Sequence, residues 1–148
     1  MHANYVVGGE IVGSIDKGLC LLIGINRRDT PEIAQKMVRK VLSLRLWESQ
    51  IEGICKSWQQ NVTEIKGGIL AISQFTLYGH TNKGCKPDFH EAMKTVEARA
   101  MFDNVVCMIK EIYPEGVVQT GAFGQMMSVS IENDGPVTII LDSLVDKL

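Results

Sequence analysis

Apolar and polar residues change period several times along the chain, and each change marks an element. Tyr5-Val6-Val7, a Gly8-Gly9 step and the run from Glu10 to Ile15 predict a two-strand hairpin with a Gly-Gly turn. Asp16-Lys17-Gly18 is a second turn, and the unbroken apolar run from Leu19 to Ile25 predicts a strand buried on both faces. Asp29-Thr30-Pro31-Glu32 opens a helix, with an oxygen-bearing cap and a proline in the first turn, where its missing N–H costs nothing. Ile33, Met37, Val41 and Leu44 follow at helical spacing and predict the buried face. Lys36, Arg39 and Lys40 lie together on another face, which reads as a solvated face ahead of an RNA patch.

The stretch from Glu48 to Asn61 is polar and irregular, with Trp58 as a packing anchor. Gly67-Gly68 then opens Ile69-Leu70-Ala71-Ile72, an interior-type strand running into Ser73-Gln74-Phe75-Thr76-Leu77. Tyr78 to Lys86 reads as a mobile loop. Pro87-Asp88 starts a helical region, whose stripe is Ala98, Met101, Phe102, Val105, Val106, Ile109 and Ile112, and Tyr113-Pro114-Glu115-Gly116 ends it. Val117-Val118 predicts a short strand. A closing hairpin follows, with Met127, Val129 and Ile131 alternating on one side of Asn133-Asp134-Gly135-Pro136 and Val137-Thr138-Ile139-Ile140-Leu141 on the other. Strands and helices in this order predict a mixed α/β or α+β fold, one domain over residues 1–148.

Composition narrows the class. The chain has 148 residues and is 45% hydrophobic and 22% charged, enough for a core without staples. A net charge of −2 gives no global field toward nucleic acid, so any RNA contact rests on local patches or a terminal nucleotide. Cys20, Cys55, Cys85 and Cys107 form no Cys-x-x-Cys pair, which argues against a zinc or thioredoxin-type site and for reduced thiols. No secretory leader, sustained apolar span or lipidation signal is read, so a cytoplasmic protein without membrane attachment is expected.

Ser73-Gln74-Phe75-Thr76 lies where a buried strand gives way to a loop, offering hydroxyls, an amide and main-chain N–H groups but no acid or base. Alone, it reads first as a strand end capped by small polar residues, ahead of a site. A serine or threonine nucleophile needs an adjacent base; His80 and His90 are the nearest in sequence, and His90 reads as a surface or satisfied histidine. Gly135-Pro136 reads first as a turn, although proline is the one residue before which a cis peptide is inexpensive.

Taken together, these segments resemble the D-aminoacyl-tRNA deacylases. Ser73-Gln74-Phe75-Thr76-Leu77 resembles their S-Q-F-T-L motif, and Asn133-Asp134-Gly135-Pro136-Val137-Thr138 resembles their N-x-G-P-V-T motif. Lys86-Pro87-Asp88-Phe89, the segment from Gly121 to Met127 and that from Gly8 to Gly24 are similar to further family segments, in the right order. The family pattern also opens with a short strand bearing arginine and glutamine ahead of the region matching Ala3 to Val7. This sequence has no counterpart to it, which leaves open what braces the Gly-Pro motif, a task the family gives to that arginine.

The resemblance implies a mainly antiparallel, barrel-like sheet packed by two to three helices, and a homodimer. It implies hydrolysis of the ester of D-aminoacyl-tRNA, and of glycyl-tRNA mischarged on tRNA-Ala, with the tRNA 3′ end as partner and no metal or cofactor. Ser73, Gln74, Phe75 and Thr76 are the implied catalytic segment. Gly135 and Pro136 are the chiral-selectivity motif, inserted in cis form into the other subunit. Phe123, Gly124 and Met127 match the segment that holds the terminal adenosine, although Phe123 and Met127 suit core packing equally. Thr76 as a covalent nucleophile ranks below a mechanism assisted by the RNA 2′-hydroxyl. Two alternatives stand: a non-catalytic nucleic-acid-binding or scaffold protein on the same fold, and the subfamily with a trans Gly-Pro step that clears L-alanine.

Overall fold

The computed structural model describes residues 2–7 and 10–146. In chain order its elements are β1 (His2–Val7), β2 (Glu10–Ile15), β3 (Gly18–Ile23), α1 (Pro31–Ser43), β4 (Trp47–Ile51) and β5 (Ile54–Gln60). They continue with β6 (Gly68–Ser73), a 3-10 turn (Phe75–Tyr78), α2 (Thr95–Ile112), β7 (Val118–Thr120) and β8 (Ser128–Glu132).

Three layers meet on β6. It is the middle strand of a parallel sheet ordered β3-β6-β7, as expected of continuous apolar strands covered on both faces. Ile69 and Ala71 pack toward the helices, with Val38 and Leu42 of α1 and Phe102, Val106 and Ile109 of α2 in their clusters. Leu70 and Ile72 point the other way, onto Ala3 and Ile15 of the antiparallel sheet β2-β1-β8. Ile69, Leu70, Ala71 and Ile72 are 0–1% exposed; each large side chain so buried contributes about 1.5–3 kcal/mol. The strand begins at a close backbone approach. Gly18 of β3 pairs with Gly68, and a Cβ on Gly18 would lie 1.9 Å from the Gly68 carbonyl oxygen.

The mixed α/β architecture agrees with the sequence reading. A closed barrel does not form among the described strands, which make two three-stranded sheets and one two-stranded ribbon. Three of the five pairings are antiparallel, and the two parallel ones hold the core strand. The first hairpin forms as expected between β1 and β2; its Gly8-Gly9 turn lies outside the described residues. Thr30 caps α1 by accepting a hydrogen bond from the Ile33 N–H. The buried stripe of α1 is Ala34, Val38 and Leu42, one position along from the expected Ile33, Met37 and Val41, which are half-buried.

Five other expectations fail, the first four for identifiable reasons. Residues 48–61 are not irregular: β4 and β5 pair across a turn at Glu52-Gly53, whose φ values of 53° and 77° suit a tight hairpin. Trp58 is no anchor. It stands 55% exposed with φ 61°, in a bulge where Ser57, Trp58 and Gln59 face Glu48 alone. The helical region does not start at Pro87: backbone bridges His80–Asp88 and Asn26–Ala92 hold residues 87–93 out of helix, so α2 begins at Thr95 and His90 is not helical. The run Val137 to Leu141 forms no strand despite its β-branched residues, because strand propensity is realised only against a neighbour. Leu22, in the strand expected to be buried on both faces, is 45% exposed.

Candidate active site

The parallel sheet delivers the Ser73–Thr76 segment to its carboxyl end, where open α/β sheets gather ligand sites. Ser73 pairs with Ile23, and the Gln74 N–H donates to the Ile23 carbonyl at 2.8 Å. The chain then tightens into the 3-10 turn, where Leu77 N–H donates to the Gln74 carbonyl at 3.2 Å and Gly79 N–H to that of Thr76 at 2.9 Å. The N–H groups of Phe75 and Thr76 fall in the first turn, with no carbonyl of the turn behind them. Among the described residues neither N–H has a main-chain acceptor, so both can meet a ligand oxygen.

The side chains follow the same plan. Gln74 Nε2 donates to Thr76 Oγ1 at 2.5 Å. Phe75 is 54% exposed and meets Phe89 edge to face. Among the described residues no imidazole or carboxylate is hydrogen-bonded to Ser73, Gln74 or Thr76. His80 Nε2 is engaged by Glu91 at 2.9 Å and His90 Nδ1 by Asp88 at 2.9 Å. These pairs line an open cleft of about 270 Å³ with Asn82 and Lys83, a lining that includes no residue from Ser73 to Tyr78. The Asp88 carboxyl is held low, first by the His90 backbone N–H, and that of Glu91 by the His80 side chain.

Sequence reasoning passed over the support beneath the turn. Buried Asn26 donates its N–H to Asp29 Oδ2 at 2.7 Å and accepts the Arg28 N–H at 3.0 Å, an Asx-type turn legible in Asn26-x-x-Asp29. Ser143 Oγ reaches Asp29 Oδ1 at 3.4 Å, bringing the C-terminal segment to the same place. Burial pushes the Asp29 carboxyl up. Tyr78 closes the group, its phenol pushed up to about 12 by burial and then by the charges of Asp29 and Asp142. A phenol so placed stays a hydrogen-bond donor.

The segment after β7 lies beside the end of β6. Gly121 N–H donates to the Ala71 carbonyl at 2.8 Å, and Met127 packs with Leu70 and Ile72. Phe123 meets Phe102 in a tilted ring contact at 5.7 Å, with the Arg99 guanidinium 5.8 Å from its ring, and Gly124 is exposed at φ 73°. Phe123 and Met127 thus have packing roles. The structure does not bring Gly135 and Pro136 to this cluster by any hydrogen bond or ring contact among the described residues. The extended β8 carries the chain roughly 20 Å from Met127 to Asn133, at about 3.3 Å per residue. The Gly135–Pro136 peptide is cis, in an exposed loop.

Main-chain N–H groups at a sheet end, with no acid or base hydrogen-bonded beside them among the described residues, can orient and polarise a carbonyl already activated toward attack. Known proteins agree with that class. Residues 1–142 match the family model described as D-Tyr-tRNA(Tyr) deacylase. The D-aminoacyl-tRNA deacylase of Yarrowia lipolytica is 43% identical over 145 residues, covering 97% of this chain and 93% of that protein. D-aminoacyl-tRNA deacylase 1 of Leishmania major is 46% identical over 135 residues, covering 91% and 87%. A solved structure titled c-Myc DNA Unwinding Element Binding Protein superposes with a TM-score of 0.88 at 41% identity, covering 95% of this chain and 92% of that one. The chain belongs to the D-Tyr-tRNA(Tyr) deacylase family.

Proposed function

We propose that this protein, a single deacylase domain, hydrolyses the ester of D-aminoacyl-tRNA in the cytoplasm, releasing the D-amino acid and tRNA, and clears glycine mischarged on tRNA-Ala. The observation that carries the reading is at Thr76: its hydroxyl is occupied by the Gln74 amide while its N–H lies in the open first turn. Water adds to the ester carbonyl carbon, and the developing oxyanion meets the N–H groups of Phe75 and Thr76. The C–O bond to the ribose then breaks, and the ribose oxygen takes the proton. The neighbouring 2′-hydroxyl, present only in RNA, assists the attacking water. Phe123, Gly124 and Met127 border the terminal adenosine.

Selection for D-amino acids falls to the carbonyls of Gly135 and Pro136. They capture the substrate's α-ammonium and collide with an L side chain, which is discrimination by exclusion. The length of β8 favours their service in a partner's site, and hence a homodimer. The exposure of Ile139 and Ile140, 52% and 88%, favours it too, being apolar surface for a second copy to cover.

Deacylation of matched D- and L-tyrosyl-tRNA, with glycyl-tRNA and L-alanyl-tRNA as further arms, tests the reading. D-tyrosyl-tRNA left intact sinks it, and preferential loss of L-alanine moves the chain to the subfamily that clears that residue. The structural neighbour named for a DNA element favours a second reading, a non-catalytic nucleic-acid binder. A net charge of −2 weighs against it. Sequence-selective duplex binding by a protein without deacylase activity would establish it.

A further inference from the structure

Among the described residues, one side chain, that of Asn133, ties together the two ends of the Gly135–Pro136 loop. Asn133 is the first residue beyond β8, half-buried, and its carboxamide grips the far side of the loop at Val137, with a further contact to Thr138. Asn133 Oδ1 accepts the Val137 N–H at 3.4 Å, and Asn133 Nδ2 donates to the Val137 carbonyl at 3.2 Å. The same Nδ2 lies 3.4 Å from Thr138 Oγ1. Two of these contacts are long and singly weak. Their value lies in arrangement: donor and acceptor of one planar group engage acceptor and donor of one peptide residue, as a paired strand would. Because Val137 to Leu141 forms no strand, this side-chain rung replaces the ladder that a hairpin would have supplied.

The grip bears directly on Gly135. A Cβ at Gly135 would lie 2.8 Å from Val137 Cγ2 and 3.0 Å from Val137 N, so Val137 is also the residue against which Gly135 rests. Fixing Val137 therefore fixes the direction of the Gly135 and Pro136 carbonyls. No other side chain makes a hydrogen bond across residues 134–136 among the described residues.

We propose that Asn133 is the positioning residue for chiral selection, holding the Gly135–Pro136 loop through Val137 without touching the substrate. This rests on the deacylase reading above. Asn alone meets the requirement: Asp keeps the acceptor for the Val137 N–H but sets a carboxylate oxygen against the Val137 carbonyl, and Ala removes both contacts.

The test compares wild type, Asn133→Ala and Asn133→Asp in two measurements on the full-length protein. The first is kcat/KM for D- and L-tyrosyl-tRNA; the second is hydrogen exchange at the Val137 amide. Asn133→Ala is expected to lower the D-to-L ratio at least tenfold, with KM for the D substrate rising and kcat largely kept. Val137 exchange accelerates about tenfold. Asn133→Asp recovers Val137 protection without recovering the D-to-L ratio. A wild type that prefers D-tyrosyl-tRNA, with variants whose ratio is unchanged, overturns the positioning role whatever the exchange shows. Unchanged Val137 exchange in Asn133→Ala overturns the clamp itself. A wild type inactive on D-tyrosyl-tRNA instead fails the deacylase reading, and this selectivity role falls with it. Should Asn133→Ala not fold, the Asn133→Asp ratio decides: retention of wild-type selectivity refutes the proposal.

Discussion

Phe75 and Phe89 meet edge to face with ring centroids 5.0 Å apart, and this contact joins the turn carrying the main-chain donors to the irregular segment before α2. Phe89 also limits the space at Gly79, where a Cβ would stand 3.0 Å from its ring. An edge-to-face pair is worth about 0.5–1.5 kcal/mol beyond its buried area. Phe89→Leu keeps the bulk and loses the pair, so kcat/KM for D-tyrosyl-tRNA is expected to fall about two- to tenfold. Steady-state kinetics beside a thermal melt separate this loss from a general loosening of the fold.

Thr76→Ala removes a hydroxyl but not an N–H. Deacylation within about tenfold of wild type is expected if the oxyanion is met by the main chain, since one lost oxyanion donor costs on the order of 10²–10³ in kcat. A fall of that larger size, with an acyl-enzyme trapped on the wild-type chain, would return Thr76 to the nucleophile role.

Gly135 has φ 121°, a region that L side chains rarely adopt, and its Cβ position is blocked by Val137. Gly135→Ala carries a strain on the order of 1–3 kcal/mol. The exposed loop relieves it by moving, so the expected result is a modest drop in Tm beside a clear rise in hydrolysis of L-tyrosyl-tRNA. An unchanged preference for the D substrate would contradict the loop's role.

Tyr78 supplies a pH signature. Its phenol, pushed up to about 12 against an ordinary 10, is more readily charged in the unfolded chain than in the folded one. Its contribution to stability is therefore constant below about pH 10 and is lost as the pH rises toward 12. Phenolate absorbance is expected to show one late-titrating tyrosine, absent in Tyr78→Phe, whose alkaline loss of stability is correspondingly shallower.

What the sequence made legible followed burial. Ile69 to Ile72 are apolar without a break and became the central strand; Thr30-Pro31 carries its own cap and became a helix start. Hidden features were those decided by long-range partners. Pro87-Asp88 is a sound local helix start, but His80 and Asn26 capture that segment in backbone bridges. The β4–β5 ribbon exposes most of β5, so no apolar alternation announced it. The Ser73–Thr76 and Gly135–Pro136 segments stood out through family likeness. The packing of Phe102 on Phe123 joined two segments 21 residues apart that periodicity treats separately. Phe102→Ala is expected to cost about 3–5 kcal/mol, read by denaturant melts.

The glycine contact between Gly18 and Gly68 has a consequence at the opposite end of the sheet. The register that starts there ends at Ile23 and Ser73, and the Gln74 N–H donates to the carbonyl of that same Ile23. A slip by one residue would drive a leucine side chain into the Gly68 carbonyl and turn every β6 side chain to the wrong layer. The pair acts as the zero mark of a ruler whose far graduation is the start of the Phe75–Tyr78 turn. Damage to the mark would be read at Ser73, about 16 Å away at about 3.3 Å per residue, where the strand hands over to the turn.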